Sequence, residues 1–355
     1  MLIAAEPLTQ LVTEIFLACD AQPDIASRVA GHLVEANLKG HDSHGVGMVP
    51  AYVHNIRNGN LQPNAELKVI QDKGAVLLVD GQLGFGQHVG REATGLAIER
   101  VRSTGVVCLG LRNAHHLGRI GSYGEQCAAA GLVSVHFVNV VGHEPQVAPF
   151  AGREPRMTTN PFCAVVPRTG QPPLVLDMAT SAIALGKVRV AAMKGEAVPE
   201  GSLIDADGNP SNDPNILFRQ PRGALGPFGG HKGYGLAVIC ELLGGALAGQ
   251  WTAQPKQPRA GNIVNHMLMF VLDPEAFGDV AQFEQEVTAM IDYLHSTAPA
   301  SGHDRVRIPG EPERETLAER SSHGIDIDAN SWRALVQAAE AAGLDQSRID
   351  ALTGA

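Results

Sequence analysis

Asn113-Ala114-His115-His116-Leu117-Gly118-Arg119-Ile120-Gly121-Ser122-Tyr123 is the stretch on which the reading of this chain turns. The apolar run Val106-Val107-Cys108-Leu109-Gly110-Leu111 leads in as a strand. Glu125 to Ala130 leads out as a helix, with Gly131 as its stop. A strand-to-helix turn of this kind offers free backbone N–H groups to an anion. A histidine there can exchange a proton near neutral pH, and Arg119 can hold a carboxylate or phosphate through two parallel hydrogen bonds. Taken alone, the same stretch also reads as a glycine-rich turn carrying solvated histidines.

The surrounding chain narrows the choice. Its 355 residues suggest about two domains, and an apolar fraction of 44% is enough for a sizeable core. A formal charge of −10 argues against nucleic acid or an anionic membrane as the main partner. The five cysteines, Cys19, Cys108, Cys127, Cys163 and Cys240, show no C-x-x-C spacing and read as reduced core residues of a cytoplasmic protein. No basic-then-apolar leader is visible. The most apolar helix candidate, 233–249, contains Glu241 and is too short to span a membrane comfortably.

Residues 7–58 read as helical. Leu8, Leu11, Val12, Ile15, Phe16 and Cys19 mark one amphipathic face, and Ile25, Val29, Leu33 and Ala36 a second. A third helix holds Val49, Val53 and Ile56. The loop before it, His41-Asp42-Ser43-His44-Gly45, is dense in polar chemistry. From residue 75, strands at 75–80, 106–111 and 133–141 alternate with helices; 142–161 is loop-like, 162–167 and 174–177 read as a strand pair, and 263–272 as a further strand. Residues 195–227 form a long excursion of low periodicity, and 233–248 a buried helix. The tail is helical again, with Asn330 as cap of 331–342. Helices at both ends imply one helical domain from residues 1–70 and 305–355, and an α/β region over 71–304.

Several motifs carry chemistry, and each has a plain structural alternative. Gly84-x-Gly86-x-x-x-Gly90 resembles a dinucleotide-binding turn, but the acidic residue due about 20 positions later is missing, and a structural turn is the better reading. His41, His44, His115, His116 and His231 show no compact metal spacing, so no metal is assigned. Ser43 lacks a nucleophile elbow; it either caps a helix or serves a site. Asp177 ends an apolar run, where it can orient a histidine, accept from a ribose hydroxyl or cap a helix. His231-Lys232 stands at a glycine-rich turn before a helix, either an anion site or a solvated loop.

Together these pieces resemble the type 2 malate/L-lactate dehydrogenase family, NAD(P)-dependent oxidoreductases unrelated to the Rossmann-fold lactate dehydrogenases. The matching motifs are Asp42-Ser43-His44-Gly45, His116-Leu117-Gly118 with Tyr123, Thr159-Asn160-Pro161, Asp177-Met178-Ala179-Thr180, Gly186-Lys187, Asp207-Gly208-Asn209-Pro210 with Asp213-Pro214, and Lys232-Gly233-Tyr234-Gly235. They occur in the family's order across nearly the whole chain. The resemblance implies a mixed, non-Rossmann nucleotide-binding sheet, a helical domain formed from both termini, and a homodimer. It implies contacts to NAD or NADP from His44, Gly118, Arg119, Ile120, Val175, Leu176, Asp177, Met178, Ala179, His231, Lys232, Asn265 and the Gly310-Glu311-Pro312-Glu313 turn.

The activity so implied is reversible hydride transfer between NAD(P)H and a small-molecule 2-oxo/2-hydroxy carboxylate. His116 and His44 are the candidates for moving the proton, with Asp177 and Ser43 in support. Ser43, His44, Met48 and His116 are expected to face the substrate. Many family members carry arginine where this chain has Met48. Without that cation a dianionic substrate is disfavoured, so larger apolar or aromatic side chains are expected. The alternatives are a malate- or lactate-specific dehydrogenase and a reductase of a cyclic imine or keto-sugar acid.

Overall fold

The computed structural model describes residues 1–354. Three amphipathic helices open the chain: α1 (Ala5–Ala18), α2 (Pro23–Leu38, with proline in its first turn) and α3 (Val49–Arg57). Their apolar faces meet in a core that includes Leu8, Phe16, Val29, Leu33 and Tyr52. Ile325, Leu335 and Ile349 from the other end of the chain complete it. Each fully buried Leu, Ile or Phe there contributes about 1.5–3 kcal/mol through area removed from water.

The second core sits under a seven-stranded sheet. Its strands are β1 (Lys68–Lys73), β2 (Val76–Asp80), β3 (Val106–His115), β4 (Val133–Val141), β5 (Phe162–Val166), β6 (Leu174–Met178) and β7 (Val264–Leu272). The spatial order is β1-β2-β3-β7-β4-β5-β6. Only β2 and β3 run parallel, joined by the crossover helix α4 (Gly86–Thr104); every other neighbouring pair is antiparallel. A doubly wound dinucleotide fold needs a parallel sheet. The Gly84 motif is therefore architectural. A Cβ at Gly86 would collide with the carbonyls of His115 and His116, and one at Gly90 would lie 2.8 Å from the Tyr123 ring. Those glycines let α4 press against the 115–123 stretch.

Four sequence expectations need revision. The strand entering that stretch runs to His115 rather than Leu111, and α5 begins at Gly121 (Gly121–Ala129). The expected buried helix is α7 (His231–Cys240) followed by a π-helical segment, Glu241–Gly249. It is only half buried, because Ile239, Leu242 and Leu247 are 44%, 49% and 63% exposed. The cap of α10 (Ala329–Ala342) is Asp328, whose carboxylate accepts from the N–H groups of Asn330 and Ser331. Finally, 42–48 is not a plain loop but two short 3-10 turns, Asp42–His44 and Val46–Met48.

Four further helices are α6 (Leu185–Lys194), α8 (Val280–His295), α9 (Glu311–His323) and α11 (Gln346–Thr353). The 195–227 excursion folds into a small ribbon of two-residue strands over its own cluster, with Leu203, Ile216 and Leu225. All five cysteines are unpaired thiols, and among the described residues no helix is long and apolar enough to cross a membrane.

Candidate active site

A bulge aims the histidines. Opposite His266 of β7, strand β3 holds both Arg112 and Asn113, and Asn113 sits at φ +52°. Its N–H donates to His266 Nδ1 at 3.0 Å. The extra residue bends the strand end and re-aims His115 and His116, as such bulges do beside functional sites. His115 turns to Asn55 of α3 (2.9 Å), while His116 Nδ1 lies 2.6 Å from the Tyr52 hydroxyl. Among the described residues His116 Nε2 has no hydrogen-bond partner, and it is not sealed from solvent.

The Ser43–His44 turn meets it from the helical side. Asp42 is held by Asn37 Nδ2 at 2.7 Å and by both guanidinium nitrogens of Arg320 in α9. Asn37 also accepts from the Val46 N–H at 2.8 Å, and only glycine fits at position 45 against that amide. So braced, His44 lies with its ring centroid 5.4 Å from that of His116, at an interplanar angle of 25°. Ser43 Oγ is 2.9 Å from His44 Nδ1, so the serine is a partner of the imidazole rather than a helix cap. Gly186, in the first turn of α6, approaches Ser43 Cβ closely.

Burial sets the charge of this pair. It pushes His44 down to about 4, partly opposed by Asp177 and aided by His41 and Arg119. It pushes His116 well below the ordinary histidine value, and His44, His115, His32 and His143 add to the effect. Both imidazoles are neutral at pH 7, and they disfavour each other's charged form.

The 117–121 turn is less open than its sequence suggests. Its N–H groups are taken in alternation: Leu117 by Asn265 Oδ1 (2.8 Å), Arg119 by His32 Nε2 (3.1 Å) and Gly121 by Asp177 Oδ2 (2.7 Å). Asn265 spends its other end on the Asn139 carbonyl, so it braces the turn. Ile120 is buried and Gly118 has φ +70°, with His32 and Gln87 where a Cβ would point. The guanidinium of Arg119 is 2% exposed and paired with both oxygens of Glu125, at 2.8 and 3.0 Å. Lys39 reaches the same carboxylate at 2.7 Å. An arginine so enclosed has no free fork for a phosphate. Its expected charge on an anion does not fit this geometry; it holds α5 to α2 instead.

The remaining expected residues line the edge strand β6. Asp177 lies in that strand and is not a cap for the residues after it. Its Oδ1 accepts no hydrogen bond among the described residues. Val175 donates its N–H to the Pro309 carbonyl at 3.2 Å, so Gly310 packs against β6, and Glu311 opens α9 by accepting from the Ile308 N–H. Pro312 lies in the same first turn, and Glu313 is 3.6 Å from His41. Leu176 is 37% exposed, and Met178 and Ala179 follow at the strand's end. Beyond them Thr180 accepts from the Phe228 N–H at 3.1 Å, which brings the turn before α7 alongside. There His231 is exposed against Phe150, and Lys232 is exposed with no acidic partner among the described residues. Met48 ends the second 3-10 turn, packed on the helical core.

An open strand edge, a carboxylate with a spare oxygen and an unpaired lysine at a helix start suit an extended, anionic, hydroxyl-rich group. The malate/L-lactate dehydrogenase family model matches residues 3–336. The chain belongs to that family. As a malate/L-lactate dehydrogenase family member it is an NAD(P)-dependent dehydrogenase. It is 46% identical to an L-lactate dehydrogenase of Cupriavidus necator over 341 residues, covering 96% of this chain and 97% of that protein. It is 44% identical to hydroxycarboxylate dehydrogenase B of Escherichia coli over 352 residues, covering 98% and 96%. The solved sulfolactate dehydrogenase of Methanocaldococcus jannaschii superposes with a TM-score of 0.85 at 32% identity, covering 98% and 99%.

Sequence reasoning missed Tyr52, Gln87, His32, Arg320 and His143. Tyr52 and His32 sit among apolar residues of amphipathic helices, where a core role is the default. Arg320 is separated from Asp42 by most of the chain.

Proposed function

We propose that this dehydrogenase interconverts a 2-hydroxy acid and its 2-oxo acid, preferring larger apolar or aromatic side chains over dicarboxylates. The observation that carries the reaction is the His44–His116 pair, two neutral imidazoles 5.4 Å apart at the open end of a bulged strand. NAD or NADP, when bound, supplies or accepts the hydride. Asp177, Lys232 and the 310–313 turn along β6 are assigned to hold it.

In the oxidising direction His116 Nε2 takes the hydroxyl proton, in the tautomer whose own proton sits on the Nδ1 that faces Tyr52. A neutral imidazole is the right starting form for that step. In the reducing direction the substrate carboxylate brings negative charge beside the pair, which favours the imidazolium that returns the proton. His44, fixed by Ser43, is assigned to the carboxylate and the nicotinamide side.

Met48 carries the substrate preference. It contributes no charge immediately after the Ser43–His44 turn and offers a flexible apolar wall. The homodimer is assigned to the exposed apolar ridge of Ile239, Leu242 and Leu247. The test is cofactor consumption with NADH and NADPH over a panel of 2-oxo acids. Higher kcat/KM for aromatic and branched members than for oxaloacetate supports the reading. The reverse order refutes the preference, and silence across the panel refutes the substrate class.

A further inference from the structure

Buried polar atoms without partners mark places where a side chain can change its bonding. One of them is Gln87 Oε1, in the first turn of α4 directly behind the histidine pair. Gln87 is 1% exposed, and its Nε2 donates to the Tyr52 hydroxyl at 2.7 Å. Tyr52 is fully enclosed, and its hydroxyl is the group 2.6 Å from His116 Nδ1.

A phenol has one proton to give. With the Gln87 NH2 group donating to its oxygen, Tyr52 must donate to His116 Nδ1. Neutral His116 then carries its own proton on Nε2, and Nε2 is not a base. If the amide turns over, Oε1 accepts from Tyr52, the Tyr52 oxygen accepts from Nδ1–H, and Nε2 is left bare. The two ends of the amide are nearly equal in shape, and Oε1 has no existing bond to break. Burial holds the Tyr52 phenol above its ordinary value, so it stays protonated in both arrangements.

We propose that Gln87 is a positioning residue whose amide orientation, passed through Tyr52, sets which nitrogen of neutral His116 carries the proton. This rests on His116 as the proton-transfer group. In oxidation the alcohol loses its hydroxyl proton to Nε2 and its hydride to the nicotinamide. The imidazolium so formed donates Nδ1–H to Tyr52, and Tyr52 donates to Gln87 Oε1. The return reaction runs back through the same arrangement. The opposite orientation holds the site in a resting form. The other groups facing His116 are His44, His115, His32 and His143, none of which bonds to Nδ1.

The test uses the full chain labelled with 15N-histidine, His116 being assigned by difference from His116→Gln. The tautomer is read by NMR at neutral pH for the parent, Gln87→Met and Gln87→Glu. An ionised glutamate can only accept, so Gln87→Glu is expected to shift His116 toward the Nδ1–H form and move the acidic limb of kcat/KM to higher pH. Gln87→Met is expected to lower kcat for alcohol oxidation about tenfold with the KM for cofactor unchanged. In a Tyr52→Phe background the same change is expected to have no further effect, because the path through the hydroxyl is gone. An unaltered tautomer in Gln87→Glu, or losses that add independently to Tyr52→Phe, overturns the proposal. If Gln87→Met does not fold, Gln87→Glu alone decides. The NMR reading stands whatever His116 does in turnover: normal turnover in His116→Gln would refute the function and leave the tautomer result intact.

Discussion

At the scale of residues, the two histidines are separable. His116→Gln is expected to lower kcat by about 10²–10⁴-fold with cofactor affinity nearly unchanged, as measured by single-turnover hydride transfer at saturating ligands. His44→Gln should damage substrate binding at least as much as turnover; if it alone abolishes both the rate and its pH dependence, the roles are exchanged. Lys232→Ala is expected to weaken cofactor binding by on the order of 1–3 kcal/mol, read by titration calorimetry. Arg119→Ala should behave differently. It leaves Glu125, whose side chain is 26% exposed, to Lys39 alone, so loss of the two Arg119 hydrogen bonds should cost about 1.5–3 kcal/mol of stability in denaturant unfolding. The sequence showed an arginine in a glycine-rich turn, which suits an anion; it could not show that Glu125, one turn into the next helix, claims the fork first. Likewise His116 stood out because it ends a strand, whereas Tyr52 was hidden by the apolar stripe it shares with Val49 and Val53.

At the scale of elements, strand periodicity was legible where a strand of the sheet buries one or both faces. The edge strand β1 was not, since all six of its residues are exposed and no alternation is enforced. The spacing of Gly84, Gly86 and Gly90 was visible too, but not its reason, which is contact of α4 with a segment about 30 residues away. Gly90→Ala is therefore expected to displace the Tyr123 ring and with it Leu117, whose carbonyl accepts from that hydroxyl. Turnover should fall although position 90 touches no substrate, and a normal kcat would show that the turn tolerates the shift. Asn330 and Asp328 compete as caps two residues apart. Asp328 wins because its carboxylate reaches two N–H groups, and Asp328→Ala should cost about 1 kcal/mol where Asn330→Ala costs little.

At the scale of the molecule, buried neutral histidines make stability depend on pH. Burial pushes His115 down to about 3 and His136 and His266 to about 4. The unfolded chain takes up protons on these groups near pH 6.5, so below that pH it binds more protons than the native state. Stability is full above about pH 6.5 and falls toward pH 4, by up to roughly 2 kcal/mol per group at pH 5. Melting temperature measured from pH 7.5 to 5 should drop steadily; a flat profile would contradict neutral burial. The pairing of the chain's two ends was legible as helices at both ends, while the ion pair Arg320–Asp42 that ties α9 to the Ser43–His44 turn was not, because no local pattern links them. That arrangement has a cost during synthesis. About 240 residues separate Phe85 from Ile325, the last early and first late members of the helical core. At ~5–20 residues per second, the apolar faces of α1 to α3 wait roughly 10–50 s for the helices that cover them. For that interval the nascent chain presents a sticky, half-finished bundle to whatever surrounds the ribosome, and the Ser43–His44 turn has only its Asn37 contacts until Arg320 has been made.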